Sequence, residues 1–187
     1  MVTSVAAVLA VATLSSPAPA HADAFADEVV QRHNDYRRQY GAPELRWDPA
    51  LAADAKTWGD HLAKSGCEMA NMGDISKYPD LTFNYKTRPG QNNFQMWSSQ
   101  PIGGEVFGLA IKEWMAEAQR YDYNNPRYQL ETSHFTQVVW KASTKVRAAM
   151  VDCTLPNGFR HSRILVVWYL PPGNVQGQYT QNVGYRR

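Results

Sequence analysis

Ser133-His134-Phe135-Thr136-Gln137-Val138-Val139-Trp140 opens the part of the chain whose reading decides the fold class. From Phe135 to Trp140, and again over Val146–Cys153 and Arg163–Leu170, β-branched and aromatic residues dominate, which predicts three strands. Pro156-Asn157-Gly158 lies between the last two and is a turn signal, since each of these residue types favours a tight change of direction. The last third therefore predicts a small antiparallel sheet. Residues 171–187 hold Gly, Pro, Asn and Gln and predict a folded tail without regular structure.

The chain before this stretch predicts helices. Phe107, Ile111, Trp114 and Ala118 recur at helical spacing over 105–120, and Tyr121-Asp-Tyr-Asn-Asn-Pro126 ends that segment. Asp48 is a good N-cap and Pro49 suits the first helical position. Leu51, Ala55, Trp58 and Leu62 then mark one face until Gly66 closes the helix. Phe25, Val29, His33, Tyr36 and Tyr40 predict a further helix over 24–40, stopped by Gly41 and Pro43. Residues 68–104 show no period, and an irregular segment of that length is uncommon and often functional. Helices first and strands last, with no repeat or linker, give an α+β class and one domain.

Composition narrows the function. The chain has 187 residues, of which 44% are hydrophobic and 19% charged, so disorder and coiled coils are excluded. The formal net charge is +2 without any run of five like charges, which leaves nucleic acid no footprint. No apolar stretch reaches the length of a transmembrane helix. Residues 1–22 predict a signal peptide. Val5–Leu14 forms the apolar run, and Ala18-Pro-Ala20 and Ala20-His-Ala22 offer cleavage signals. A disordered Ala-rich tail is the alternative. Residues 23–187 then form a single extracellular domain, expected to be a monomer. Cys67 and Cys153 are an even pair, which in a secreted chain implies a bridge; two buried free thiols are the alternative.

The chain resembles the CAP superfamily of cysteine-rich secretory proteins, antigen 5 and pathogenesis-related class 1 proteins. His33-Asn34-x-x-Arg37, Leu45-x-Trp47-Asp48 and Trp114-x-x-Glu117-x-x-x-Tyr121 carry the resemblance in the helical part. Residues 133–140 are similar to the family's G-H-[YF]-T-Q-V-V-W signature with Ser133 for Gly, and Tyr169-Leu-Pro-Pro-Gly-Asn174 is similar to its Y-x-P-x-G-N signature. The resemblance implies a three-layer α-β-α sandwich. It also implies that Cys67 and Cys153 form one of the family's recurrent disulfides, and that a second family pair falls at Ala148 and Val167, both apolar here.

In the family two His and two acidic residues share a cleft that holds a divalent metal. The resemblance maps these positions onto His134, Glu117, Asn71 and Gln91. Asn71 and Gln91 offer only neutral amide oxygens, so zinc binding is expected to be weak or absent and no cofactor is expected. His134 and Glu117 as a plain structural pair is the competing reading. No G-x-S-x-G motif occurs and the cysteines are committed, so no enzyme activity is expected; a hydrolase using His134 and Glu117 is the weakest alternative.

The resemblance implies a pathogenesis-related-1-like secreted protein that binds a small lipid. The family's sterol-capturing loop corresponds to residues 95–102, where Met96, Trp97, Pro101 and Ile102 are the apolar candidates. A fatty acid, expected to bind better than a sterol, would need a slot between the first and third helices. A protein-interaction or virulence module without lipid is the second hypothesis.

Overall fold

The computed structural model describes residues 20–73, 75–85, 87–155 and 161–187. Most of the expected signal peptide and the Pro156-Asn157-Gly158 turn lie outside the described residues. Helix α1 spans Ala20–Gln39, α2 Pro49–Lys64 and α3 Val106–Ala116, each where the apolar spacing predicts it. Asp48 caps α2 by accepting from the N–H groups of Ala50 and Leu51, with Pro49 at the first position. Residues 117–120 continue α3 as a single tighter turn.

Four strands form one sheet in the order β1-β3-β4-β2: β1 Arg46–Trp47, β2 Gly90–Ser98, β3 Lys145–Cys153 and β4 His161–Leu170. Alternation on β4 sends Leu165, Val167 and Tyr169 into a core shared with α1 and α3. Its other face sends Ile164, Val166 and Trp168 against Leu51, Ala55 and Trp58 of α2. Both faces of β4 are covered, which explains its nearly unbroken apolar run. The result is the three-layer sandwich the resemblance implies.

Three features correct the sequence reading. First, Phe135–Trp140 is not a strand: helix α4 covers Ser133–Val138, preceded by a turn over Leu130–Thr132. Every residue from Phe135 to Trp140 is buried, so the apolar run carried no periodicity to separate helix from strand. Second, Gly90–Ser98 lies in the segment expected to be irregular and is the nine-residue strand β2, antiparallel to β4. Its polar composition hid it, because the polar side chains find partners within the fold. Third, the sheet is mixed, since β1 pairs parallel to β3.

Cys67, just beyond α2, and Cys153, at the end of β3, are bridged with a Cα–Cα distance of 6.1 Å. Ala148 and Val167 are cross-strand partners in the β3–β4 register. A short helix α5, Tyr179–Asn182, gives the tail some regular structure.

Candidate functional site

The site grows from the two ends of α4. At its start, Glu117 accepts from the backbone N–H groups of His134 and Phe135 at 3.1 and 3.0 Å. These are donors that no helical carbonyl can reach. The other oxygen of Glu117 takes the His134 Nδ1–H at 2.7 Å. The Trp114 ring stacks on the imidazole, with centroids 5.8 Å apart and planes within 14°. His134 is thus held in one orientation with Nε2 as its remaining polar atom. At the end of α4, the buried Arg37 guanidinium donates to Val138 O, Trp140 O and Ser143 O at 2.8–2.9 Å, and its Nε donates to Pro43 O. Burial lowers the pKa of Arg37 to about 10, still charged at neutral pH.

A cavity of about 460 Å³ opens beside His134. Asn71, Gln91 and His134 all line it, together with Arg88, Tyr128, Leu130, Ser133, Gln137 and Asn174. Glu117 does not: it stands behind the imidazole, with 12% of its side chain exposed against 35% for His134. Leu130 and Tyr128 are 73% and 49% exposed at this opening.

The amides are already engaged. Gln91 accepts from Met72 N–H at 3.0 Å and donates to Asn93 Oδ1 at 2.9 Å. Asn93 donates to Ala70 O and to Asn71 Oδ1 at 3.0 and 3.2 Å. Gln95 donates to Cys67 O at 2.9 Å. Gln91, Asn93 and Gln95 stand on one face of β2 and tie down the Cys67–Met72 segment, much as a further strand would. Sequence reasoning missed this ladder, although a Gln-x-Asn-x-Gln alternation of period two was there to read. It also missed Arg88, Tyr128 and Leu130, which no motif marks.

Next to the cleft, a polar chain runs into the core. Asn92 Nδ2 donates to His134 O at 3.1 Å and to the Tyr169 hydroxyl at 3.3 Å. Tyr169 in turn lies 2.7 Å from His33 Nε2, and His33 Nδ1 lies 2.8 Å from Val29 O. The Val29 carbonyl requires the proton on Nδ1, so Nε2 accepts from Tyr169. Burial lowers the His33 pKa to about 3 and raises that of Tyr169.

The four lipid candidates do not form a loop. Met96 and Trp97 belong to β2; Met96 packs toward the α3 side of the core while Trp97 is 56% exposed. Pro101 and Ile102 line a separate cavity of about 220 Å³ with Asp152, His161 and Arg163, at the far end of β2 from His134. The slot anticipated between the first and third helices is filled. Phe107 meets Phe25 edge-on at 6.4 Å and stacks against His33 at 5.4 Å, and Arg32 reaches Glu105 across the seam at 3.1 Å. On α2, the half-buried His61 ring is stacked on Trp58 at 5.1 Å.

The donor set does not suit zinc. Among the described residues no three His, Cys, Asp or Glu side chains converge. The one imidazole in the cleft has its carboxylate behind it, and the oxygens of both amides already accept, that of Asn71 from Asn93 and that of Gln91 from the Met72 N–H. Structural and catalytic zinc sites use three or four strong protein ligands.

The family profile described as "Cysteine-rich secretory protein family" (CAP) matches residues 30–169, and the chain belongs to that family. It is 34% identical to GLIPR1-like protein 1 of Bos taurus over 81% of this chain and 61% of that one. It is 32% identical to Secreted protein PRY1 of Candida albicans over 85% of this chain and 32% of that one. The chain thus spans only a third to three-fifths of these relatives. Pathogenesis-related protein 1 of Arabidopsis thaliana is 30% identical over 81% of this chain and 79% of its own. The fold matches the crystal structure of hookworm platelet inhibitor with a TM-score of 0.61 at 18% identity, over 87% of this chain and 77% of that one.

Proposed function

We propose that this chain is a secreted CAP protein that binds a small lipid without turning it over, a fatty acid in preference to a sterol. The carrying observation is the open cleft beside His134 with Leu130 and Tyr128 exposed at its rim. An exposed leucine beside a concave, half-polar wall suits an amphiphile, since burying it removes apolar surface from water. Secretion is supported by the apolar run before Pro17, by a relative named as secreted, and by the Cys67–Cys153 bridge. Among the described residues no helix is long and apolar enough to cross a membrane.

The parts at the cleft support a binding role over a catalytic one. The Ser133 hydroxyl donates to Leu130 O at 2.8 Å, and His134 Nδ1 is committed to Glu117. A nucleophile has to stand within hydrogen-bond reach of its base, and among the described residues of the cleft no hydroxyl or thiol bonds the His134 imidazole. Both cysteines are bridged.

Titrating the oxidised protein with radiolabelled palmitate and cholesterol tests this reading. Saturable palmitate binding, weakened by Leu130→Ser and exceeding that of cholesterol, is the expected result. No saturable binding of either lipid overturns it.

A further inference from the structure

Among the described residues that line the His134 cleft, the charged side chain is the Arg88 guanidinium. Among the described residues, Arg88 and His134 are the only groups of Asp, Glu, Lys, Arg or His type on its wall, and no carboxylate lines it. Among the described residues Arg88 makes no ion pair, in contrast to Arg32, Arg38 and Arg163. Glu117, the carboxylate that contacts His134, points both oxygens at N–H groups of α4 and of the imidazole. Asn71, which lines the cleft, accepts from Asn93 through its oxygen and keeps its amide N–H groups as donors. The Tyr128 hydroxyl adds a further polar group at the rim.

We propose that this cleft is an anion subsite, in which Arg88 and the Asn71 amide receive the carboxylate head of a fatty acid while Leu130 and Tyr128 carry the start of its chain. The proposal rests on the lipid reading above and deepens it by placing the head group. The two amides have a double consequence. Where a family member with Glu at position 91 would attract a cation, Gln91 brings no charge to the wall. A carboxylate or phosphate oxygen is then met by a fixed-charge guanidinium and by neutral donors, which is the chemistry that holds such groups. The exposed leucine in the same cleft as the cation separates an amphiphile from a free anion, because inorganic phosphate gains nothing from it.

The test compares dodecanoate, 1-dodecanol and inorganic phosphate by titration calorimetry against the natural protein, Arg88→Gln and Gln91→Glu, each checked for an unchanged thermal transition. The chain-matched alcohol lacks only the charge. Dodecanoate should bind more tightly than dodecanol. Arg88→Gln should weaken dodecanoate about tenfold or more, the loss of one charge-assisted contact, and leave dodecanol unchanged. Gln91→Glu should weaken dodecanoate in the same direction. Acid and alcohol binding equally, with neither variant having an effect, overturns the anion subsite while leaving lipid binding intact. Phosphate binding that depends on Arg88, with no gain for dodecanoate over phosphate, keeps the anion subsite and overturns the lipid reading. No binding of any of the three overturns both.

Discussion

The Tyr169 hydroxyl donates to His33 Nε2 at 2.7 Å, joining β4 to α1 across the core. The partner on the other ring nitrogen is a backbone carbonyl, so the imidazole is held neutral, and burial keeps it so down to about pH 3. An unfolded histidine takes a proton near pH 6.5. Between these values the unfolded state binds more protons than the folded one, so stability rises with pH through that window and is lost as pH falls.

This predicts an acid-sensitive fold. Stability should fall by about 1.4 kcal/mol per pH unit from this group alone as pH drops below about 6.5. Asp48 titrates lower: its burial is outweighed by hydrogen bonds from Lys145 and Tyr85, which bring it to about 2. His33→Gln keeps an amide donor and acceptor but cannot titrate. Urea unfolding midpoints measured from pH 7 to 4.5 should slope less steeply in His33→Gln than in the natural protein. Parallel slopes would show that His33 is not the group responsible.

Arg37 should be irreplaceable by lysine. Its four bonds to Pro43, Val138, Trp140 and Ser143 carbonyls need the planar fork of a guanidinium. Lysine presents one ammonium at the tip of its stem and would leave buried carbonyls unpaired, at about 1–3 kcal/mol each. Chemical denaturation of Arg37→Lys should show a loss of about 3 kcal/mol or more. A loss below about 1 kcal/mol would mean that water replaces the missing donors.

Gly90 should tolerate no side chain. A Cβ there would lie 2.0 Å from Gln137 Oε1, and that oxygen is itself fixed by the Gly173 N–H at 2.9 Å. Gly90→Ala must therefore displace Gln137 or break its bond to the loop after β4, costing about 1–3 kcal/mol as an overpacked site. A melting temperature equal to that of the natural protein would show that Gln137 moves aside without cost.

Much of the frame was legible because local chemistry and burial agreed. Asp48 and Pro49 mark the start of α2, and Leu165 to Tyr169 read as strand from β-branched and aromatic content. Where partners come from far along the chain, the signal failed. Helix α4 is stabilised at its start by Glu117 and at its end by Arg37, so nothing in residues 133–140 announces a helix. β2 is polar because its amides bind the Cys67–Met72 segment, which composition alone reads as loop. At the site, His134, Glu117, Asn71 and Gln91 came from the family signatures. Arg88 and Leu130 came only from the folded surface, since nothing about their sequence neighbours marks them as cleft residues.

Zinc should bind weakly in the natural protein and strongly once two side chains are changed. Asn71, Gln91 and His134 line one cavity, so the positions are suitable and the donor types are not. The pair of changes Asn71→His and Gln91→Glu would supply a second imidazole and a carboxylate, giving with His134 three strong ligands, the number that catalytic zinc sites use. Gln91→Glu keeps an oxygen for the Met72 N–H but gives up donation to Asn93, so the segment at 70–72 should loosen slightly. Titration calorimetry should show little heat for the natural protein and clear one-to-one binding for the double variant. The same variant should lose affinity for dodecanoate, because one added carboxylate attracts the metal and repels the anion. Submicromolar zinc binding by the natural protein, abolished by His134→Ala, would show that amide oxygens suffice at positions 71 and 91.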